Sequence, residues 1–248
     1  MRSYSAQNIA AIAMMTALLI GGQALFSQVQ GVEVVTVLLL CFAYAFGAGR
    51  GMLTATSFSL LRCFLFGFDV KTVLLYLLYY NAFAFLFGTL GKKNTSDRLS
   101  LASVLATELL FSVLCFIAVV FLSGAIKISI LLVAGLKTLA WVVLSLGIGG
   151  FLAYNILLIL SKKYISCLRA AKVVSVVVTA AVCTVCFTLL DDLLYPLFYG
   201  GWGSAAVTYF YASFAAMLPQ TICTVATVAL LFLPLTKIFS KAAKNIAK

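Results

Sequence analysis

Three ionisable residues sit where hydrocarbon would surround them: Arg62, Glu108 and Lys137 each interrupt a long apolar stretch. A charge at the centre of a membrane helix costs roughly 2.5–3.5 kcal/mol on insertion scales, so each needs a partner, a wet cavity or a route to the interface. Arg62 and Lys137 fall in the outer halves of their stretches under the topology given below. There they could line an externally open cavity and neutralise an anionic or polar ligand. The competing reading is a buried pair with an acid, or, for Lys137, snorkelling to the interface. Glu108 lies nearer the opposite face and suits internal pairing or protonation.

Aromatic and acidic groups gather in the same outer half. The segment KTVLLYLLYYNAF carries Tyr76, Tyr79 and Tyr80 beside Asn81, and i, i+4 spacing puts Tyr76 and Tyr80 on one helix face. Rings with polar tips stack on a flat organic ligand and hydrogen-bond it at once; packed rings with satisfied hydroxyls are the other reading. Further on, DDLLYPLFYGGWGS (191–204) combines Asp191 and Asp192 with Tyr195, Pro196, Tyr199 and Trp202. It reads as an external loop or lid, or as an aromatic belt at the headgroups. Asp191 and Asp192 are expected to end an outward-running helix, where the macrodipole disfavours an anion by ~0.3–1 kcal/mol, so a cation or ligand should lie nearby. The predicted ligand-facing set is Arg62, Tyr76, Tyr80, Asn81, Lys137, Trp141, Asp191, Asp192, Tyr195 and Tyr211. In the last stretch Pro219 should kink the helix beside the polar Gln220.

Known catalytic signatures are missing. The chain has no His, which excludes a His-based triad and an HExxH metal site. GTLGKK at 88–93 has the wrong spacing for a phosphate-binding loop, and Asp191–Asp192 is one acidic pair where an intramembrane prenyl transferase would show two Asp-rich clusters. Cys183 and Cys186 form a CxxC inside an apolar stretch, so the seven cysteines read as small packing residues. Neither catalytic activity nor a metal or cofactor is expected.

Composition dictates the elements that hold these residues. With 65% hydrophobic and 9% charged residues and a mean hydropathy of +1.19, the 248-residue chain carries too much apolar surface for a water-soluble globule. In lipid, backbone amides must be satisfied within a segment or a closed barrel, and these stretches are too long for barrel strands. The expectation is an all-α integral membrane protein, a polytopic bundle of about eight (six to eight) transmembrane helices forming one domain over 1–248. The stretches lie near 8–28, 32–48, 50–68, 71–92, 99–124, 130–161, 170–192 and 206–236. The sixth, about 48 Å long as a helix, overshoots a ~30 Å hydrocarbon core. Gly147, Gly149 and Gly150 are expected to break or tilt it, which leaves seven or nine crossings open.

Charge sorts the seams between stretches. Arg2, Arg50, Lys92, Lys93, Arg98, Lys162, Lys163, Arg169, Lys172, Lys237, Lys241, Lys244 and Lys248 fall on one side, with Asp97 as its acid; Glu33, Asp69, Lys71, Lys127, Asp191 and Asp192 fall on the other. The positive-inside rule makes the first side cytoplasmic, with both termini. The formal charge of +11 follows from this topology and from contact with anionic membrane lipid, so no nucleic-acid partner is expected. Arg2 precedes an apolar run, as in a signal peptide, but no small-x-small cleavage site follows at the right distance, and the first stretch is expected to stay.

Along that first stretch Ala6, Ala10, Ala13, Ala17, Gly21 and Ala24 recur at intervals of three or four residues and share one helix face. Small residues so spaced let another helix approach closely, either in a partner subunit or in the same chain. The opening IAAIAMMTALLIGGQALF holds an AxxxA at Ala13 and Ala17. Short second and third stretches joined by FGAGRG (46–51) follow, and DDLLYPLFYGGW with YFYASFAAMLPQTICTVATVALLFLPLTKIF closes the chain. In these features the protein resembles the substrate-binding S component of energy-coupling factor (ECF) vitamin transporters.

The resemblance implies a subunit of an ABC-type importer in a bacterial plasma membrane that captures a vitamin-like micronutrient from outside. A transmembrane scaffold subunit would dock on Ala10, Ala13, Ala17 and Gly21, and two cytoplasmic ATPase subunits would drive toppling of the S component. It also implies an outer cavity capped by the loop after the first stretch, here Gln28, Gln30 and Glu33. S components usually have six spans, so 99–161 reads as an added hairpin; longer members of this shape are linked to cobalamin uptake, which makes cobalamin one candidate substrate. A stand-alone secondary transporter or channel for a small organic solute is the alternative, and a structural or assembly factor a third class.

Overall fold

The structure, a computed structural model, describes residues 6–27, 34–93, 101–123, 130–201 and 203–246. In chain order these residues form α1 (Ala6–Phe26), α2 (Val35–Phe46), α3 (Ala48–Phe66), α4 (Val70–Lys93), α5 (Leu101–Leu122), α6 (Ile130–Ser161), α7 (Ile165–Tyr199) and α8 (Ser204–Ile246), and no strand occurs among them. The protein is all-α. Ala6–Phe26, Val70–Lys93, Ile165–Tyr199 and Pro219–Ile246 are each long and apolar enough to cross a bilayer. Leu25, Phe64 and Leu230 are 74%, 74% and 75% exposed, an arrangement that water penalises and lipid favours. The loop residues Gln28, Gln30 and Glu33 lie outside the described residues, as does Lys127.

The chain divides into two units, one of residues 1–95 with 180–248 and the other of residues 96–179, the division falling within α7. In the second unit α5 packs on α6, with Phe111, Tyr154 and Ala171 buried at its core. Thr107 Oγ1 and Ser175 Oγ share a buried hydrogen bond of 2.7 Å. The glycines expected to break the sixth stretch do something else. α6 runs unbroken from Ile130 to Ser161, and a Cβ on Gly147 would stand 2.8 Å from Cys115 Sγ, one on Gly150 2.7 Å from the Phe111 ring. Their missing side chains seat α5 against α6, as small residues do at helix contacts in lipid.

In the first unit α2 is the enclosed element: Val37, Leu39, Leu40, Cys41 and Ala43 have no exposed surface, and α1, α3, α4 and α8 all pack on it. At twelve residues, about 18 Å by helical rise, it is shorter than a hydrocarbon core. Gly47, at φ +88°, ends α2 and begins α3, a left-handed conformation that glycine adopts without steric cost. Its N–H donates to the Ala43 carbonyl at 2.8 Å and its carbonyl accepts from Gly51 N–H at 3.0 Å. Against this elbow lies the last part of α4, so close that a Cβ on Gly88 would overlap the Ala48 backbone and one on Gly91 the Tyr44 carbonyl.

That contact sorts the unit into two ends. Arg50, Lys92 and Lys93 share the elbow end, and ring contacts of Phe42 with Phe239 (6.1 Å) and Tyr44 with Phe232 (5.1 Å) bring the lysine-bearing close of α8 there too. Asp69, Lys71, Asp191 and Asp192 lie at the other end. The segment 191–204, read above as an external loop or lid, is corrected by the structure. α7 continues through Tyr199 and turns at Gly200 (φ +116°) and Gly201 (φ +82°), whose N–H donates to the Pro196 carbonyl at 2.8 Å. Leu194 and Pro196 are buried, so the apolar face of the helix extends past the acids and holds them in helix. Asp191 and Asp192 are therefore two turns inside α7, beyond the last-turn reach of the macrodipole. α8 likewise stays one helix through Pro219 and Pro234 and reaches Ile246.

Alanine at Gly88 or Gly91 is expected to destabilise by about 1–3 kcal/mol, because overpacking here meets backbone rather than a movable side chain. At Gly149, where a Cβ meets open space, alanine should be neutral or stabilising by up to ~1 kcal/mol. Thermal unfolding in detergent followed by circular dichroism checks the contrast; equal effects at the three positions would contradict it.

Candidate functional site

The acidic end is organised from the turn between α3 and α4. Asp69, just before α4, caps that helix: its Oδ2 accepts the Thr72 N–H at 3.0 Å and the Thr72 hydroxyl at 2.8 Å. Its Oδ1 accepts the Tyr199 hydroxyl at 2.6 Å, tying the end of α7 to the start of α4. The Tyr199 hydroxyl foremost, then Thr72 and the charge of Lys71, holds the Asp69 carboxyl below the usual carboxylate range, with partial desolvation opposing.

The cap fixes the direction of Lys71, two residues on. Lys71 is 7% exposed, and its ammonium donates to Asp191 Oδ1 at 2.8 Å and to the Tyr209 hydroxyl oxygen at 3.2 Å. Tyr209 in turn donates to Asp191 Oδ2. The rings of Tyr209, Tyr195 and Tyr199 lie 5.0, 5.6 and 5.7 Å from the ammonium, within cation–π range, and Tyr195 stacks on Tyr209 at 3.9 Å and 11°. One cation thus joins α4, α7 and α8. Beside the stacked pair opens a groove of about 460 Å³ lined by Tyr195, Tyr209, Ser204, Thr208, Ala205 and Ala212. On the neighbouring residue of α7, Asp192 Oδ1 is buried and without a hydrogen-bond partner among the described residues.

A second cluster lies further along α4. The Arg62 guanidinium carbon stands 4.3 Å from the Tyr76 ring centroid, while its Nε is buried without a partner among the described residues. Around it Tyr76 contacts Tyr80 (5.2 Å), Phe187 (5.7 Å) and Phe58 (6.3 Å), and Tyr80 is 3% exposed. A desolvated cation–π contact returns about 2 kcal/mol, comparable to the insertion cost of the charge but without replacing its hydrogen bonds. Asn81 is used otherwise: its Oδ1 accepts from Thr56 at 3.0 Å, joining α4 to α3, and its Nδ2 donates back to the Leu77 carbonyl of its own helix at 2.8 Å.

The structure therefore brings Asp191, Asp192 and Tyr195 to one place and Arg62, Tyr76 and Tyr80 to another, both in the unit of α1–α4 and α8. Lys137 and Trp141 belong to α6 in the other unit; Trp141 is 63% exposed, and the side chains of Lys137 and Tyr211 lie outside the described residues. Lys71, Asp69, Tyr199, Tyr209 and Phe187 were absent from the predicted set. The Asp-x-x-Thr spacing from Asp69 to Thr72 is a capping signal that fixes where α4 begins, and with it the position of Lys71. The docking residues Ala10, Ala13, Ala17 and Gly21, with Ala6 and Ala24, are all exposed along α1, while Met15, Thr16 and Leu19 form its buried face.

In chemical terms the acidic end gathers ring faces, a carboxylate oxygen without a partner among the described residues and one buried, ion-paired ammonium. No protein-family model matches the chain, and neither a curated protein nor a solved structure does so.

Lys71→Met and Asp191→Asn should each lower stability, and a double-mutant cycle should return a coupling of about 1–3 kcal/mol; additive effects would contradict a working pair. Asp69 has a lowered folded pKa, so its stabilisation is complete above the ordinary value of ~3.9 and fades as pH falls through the lowered one. Asp69→Asn should flatten the acid limb of the melting temperature below about pH 4, and an unchanged limb would remove Asp69 from the account.

Proposed function

We propose that the protein is the membrane-embedded substrate-binding subunit of an ECF-type ABC importer. It captures a vitamin or related micronutrient, cobalamin among the candidates, at the external face for ATP-driven uptake by a scaffold subunit and two ATPases. The observation that supports this reading is the uncovered small-residue face of α1. Lipid offers apolar helices no hydrophobic reason to associate, so close packing of small residues does that work. A run of such residues left bare along a helix whose opposite face is buried suits the approach of another subunit's helix.

The acidic end supplies the second requirement, a place for a solute. With the basic end cytoplasmic and the helices crossing as about eight spans, the groove beside Tyr195 and Tyr209 faces outward. The stacked rings offer a plane to a flat ligand, Asp192 an acceptor, and Arg62 a charge for an anionic group that reaches the deeper cluster.

Affinity capture of the tagged protein from its own membrane, read by mass spectrometry, is expected to bring down the scaffold and ATPase subunits. Ala13→Leu with Ala17→Leu should cut that capture roughly tenfold, the effect of ~1.4 kcal/mol of lost packing, while leaving ligand-induced thermal shifts intact. Normal assembly of the double variant, or solute uptake by the protein alone along an ion gradient, would overturn the reading.

A further inference from the structure

At the basic end an open groove of about 510 Å³ runs between the start of α1 and the close of α8, with α2 as its floor. Its apolar stretch is lined by residues such as Leu18, Phe42, Phe46 and Ala242, and its polar mouth by Gln7 in the first turn of α1 and Asn245 in the last turn of α8. The groove therefore grades from amide side chains at the helix termini to hydrocarbon within, between two helices long and apolar enough to span a bilayer.

Length and lining suit an extended chain. From Gln7 to Leu18 the groove follows α1 for about 16 Å, comparable to an extended acyl chain, and beyond its polar mouth the walls are apolar side chains. Charge selects the headgroup. Lys237, Lys241 and Lys244 form an exposed stripe on α8, Lys241 adjoining both Ile238 and Asn245 at the groove edge by i−3 and i+4 spacing. None of the three is ion-paired among the described residues.

We infer that this groove holds one acyl chain of an anionic phospholipid from the leaflet at the basic end, with its phosphate at Lys241 and Lys244 and its glycerol ester region at Gln7 and Asn245. The site is independent of which solute the protein captures. It adjoins the small-residue face of α1 at Ala10, which belongs to both.

Native mass spectrometry of the full chain released from nanodiscs of equal phosphatidylglycerol and phosphatidylcholine tests this. One retained phosphatidylglycerol is expected, preferred about fivefold or more, the effect of at least one engaged lysine. Ala242→Phe should lose the adduct, and Lys241→Gln with Lys244→Gln, on exposed side chains that the fold does not need, should keep a lipid but lose the preference. Equal retention of both lipids by the unmodified protein, a preference that survives the lysine changes, or a copurified polypeptide whose binding Ala242→Phe abolishes would each overturn the assignment.

Discussion

Hydrocarbon gives a charged side chain nothing to bind except other parts of the protein, and this chain has only six acids for its 17 cations. That imbalance governs the arrangement of its polar groups. In the first unit Lys92, Lys93, Lys237, Lys241 and Lys244 escape the problem at the basic end, where their side chains are exposed. Lys71 instead takes Asp191 as its counterion, with Tyr209 bridging the two, and in doing so fixes α4, α7 and α8 at the acidic end. Removing either charge would leave the other stranded in a poorly hydrated setting, a far larger penalty than the net gain from the pair. Arg62 has no such acid among the described residues and settles for the face of Tyr76.

The same constraint explains where small residues stand. Glycines at 47, 88 and 91 allow α4 to press on the elbow between α2 and α3, and the helices that meet there carry the basic end. Along α1 three surfaces run side by side. Met15, Thr16 and Leu19 are buried, Gln7, Met14 and Leu18 face the groove against α8, and the alanine–glycine face is bare. One helix thus holds the fold, borders a groove and leaves a face of small residues exposed.

Much of this was legible in the sequence. Mean hydropathy and uninterrupted apolar stretches gave the helical class, since lipid permits few alternatives; alternation of basic seams anticipated the two ends of the first unit; and i, i+4 spacing put Tyr76 beside Tyr80. What escaped was set at long range. Lys71 looked like a loop cation because its partner lies 120 residues away, and no local pattern encodes that pairing. The 191–199 segment looked like a loop because proline, glycine and paired acids signal turns, yet the buried face at Leu194 and Pro196 kept it helical. Gly147 and Gly150 looked like helix breakers because their use, admitting Cys115 and Phe111, depends on a neighbouring helix.

The claim that α1 presents a free face to another polypeptide is tested most directly by cysteine cross-linking in native membranes, on a background with the natural cysteines removed. Probes at Ala13, Ala17 and Gly21 should join the protein to a different polypeptide, while a probe at Leu19 on the buried face should react only within the chain. Cross-links from Ala13, Ala17 and Gly21 that close solely within the same molecule would contradict the account.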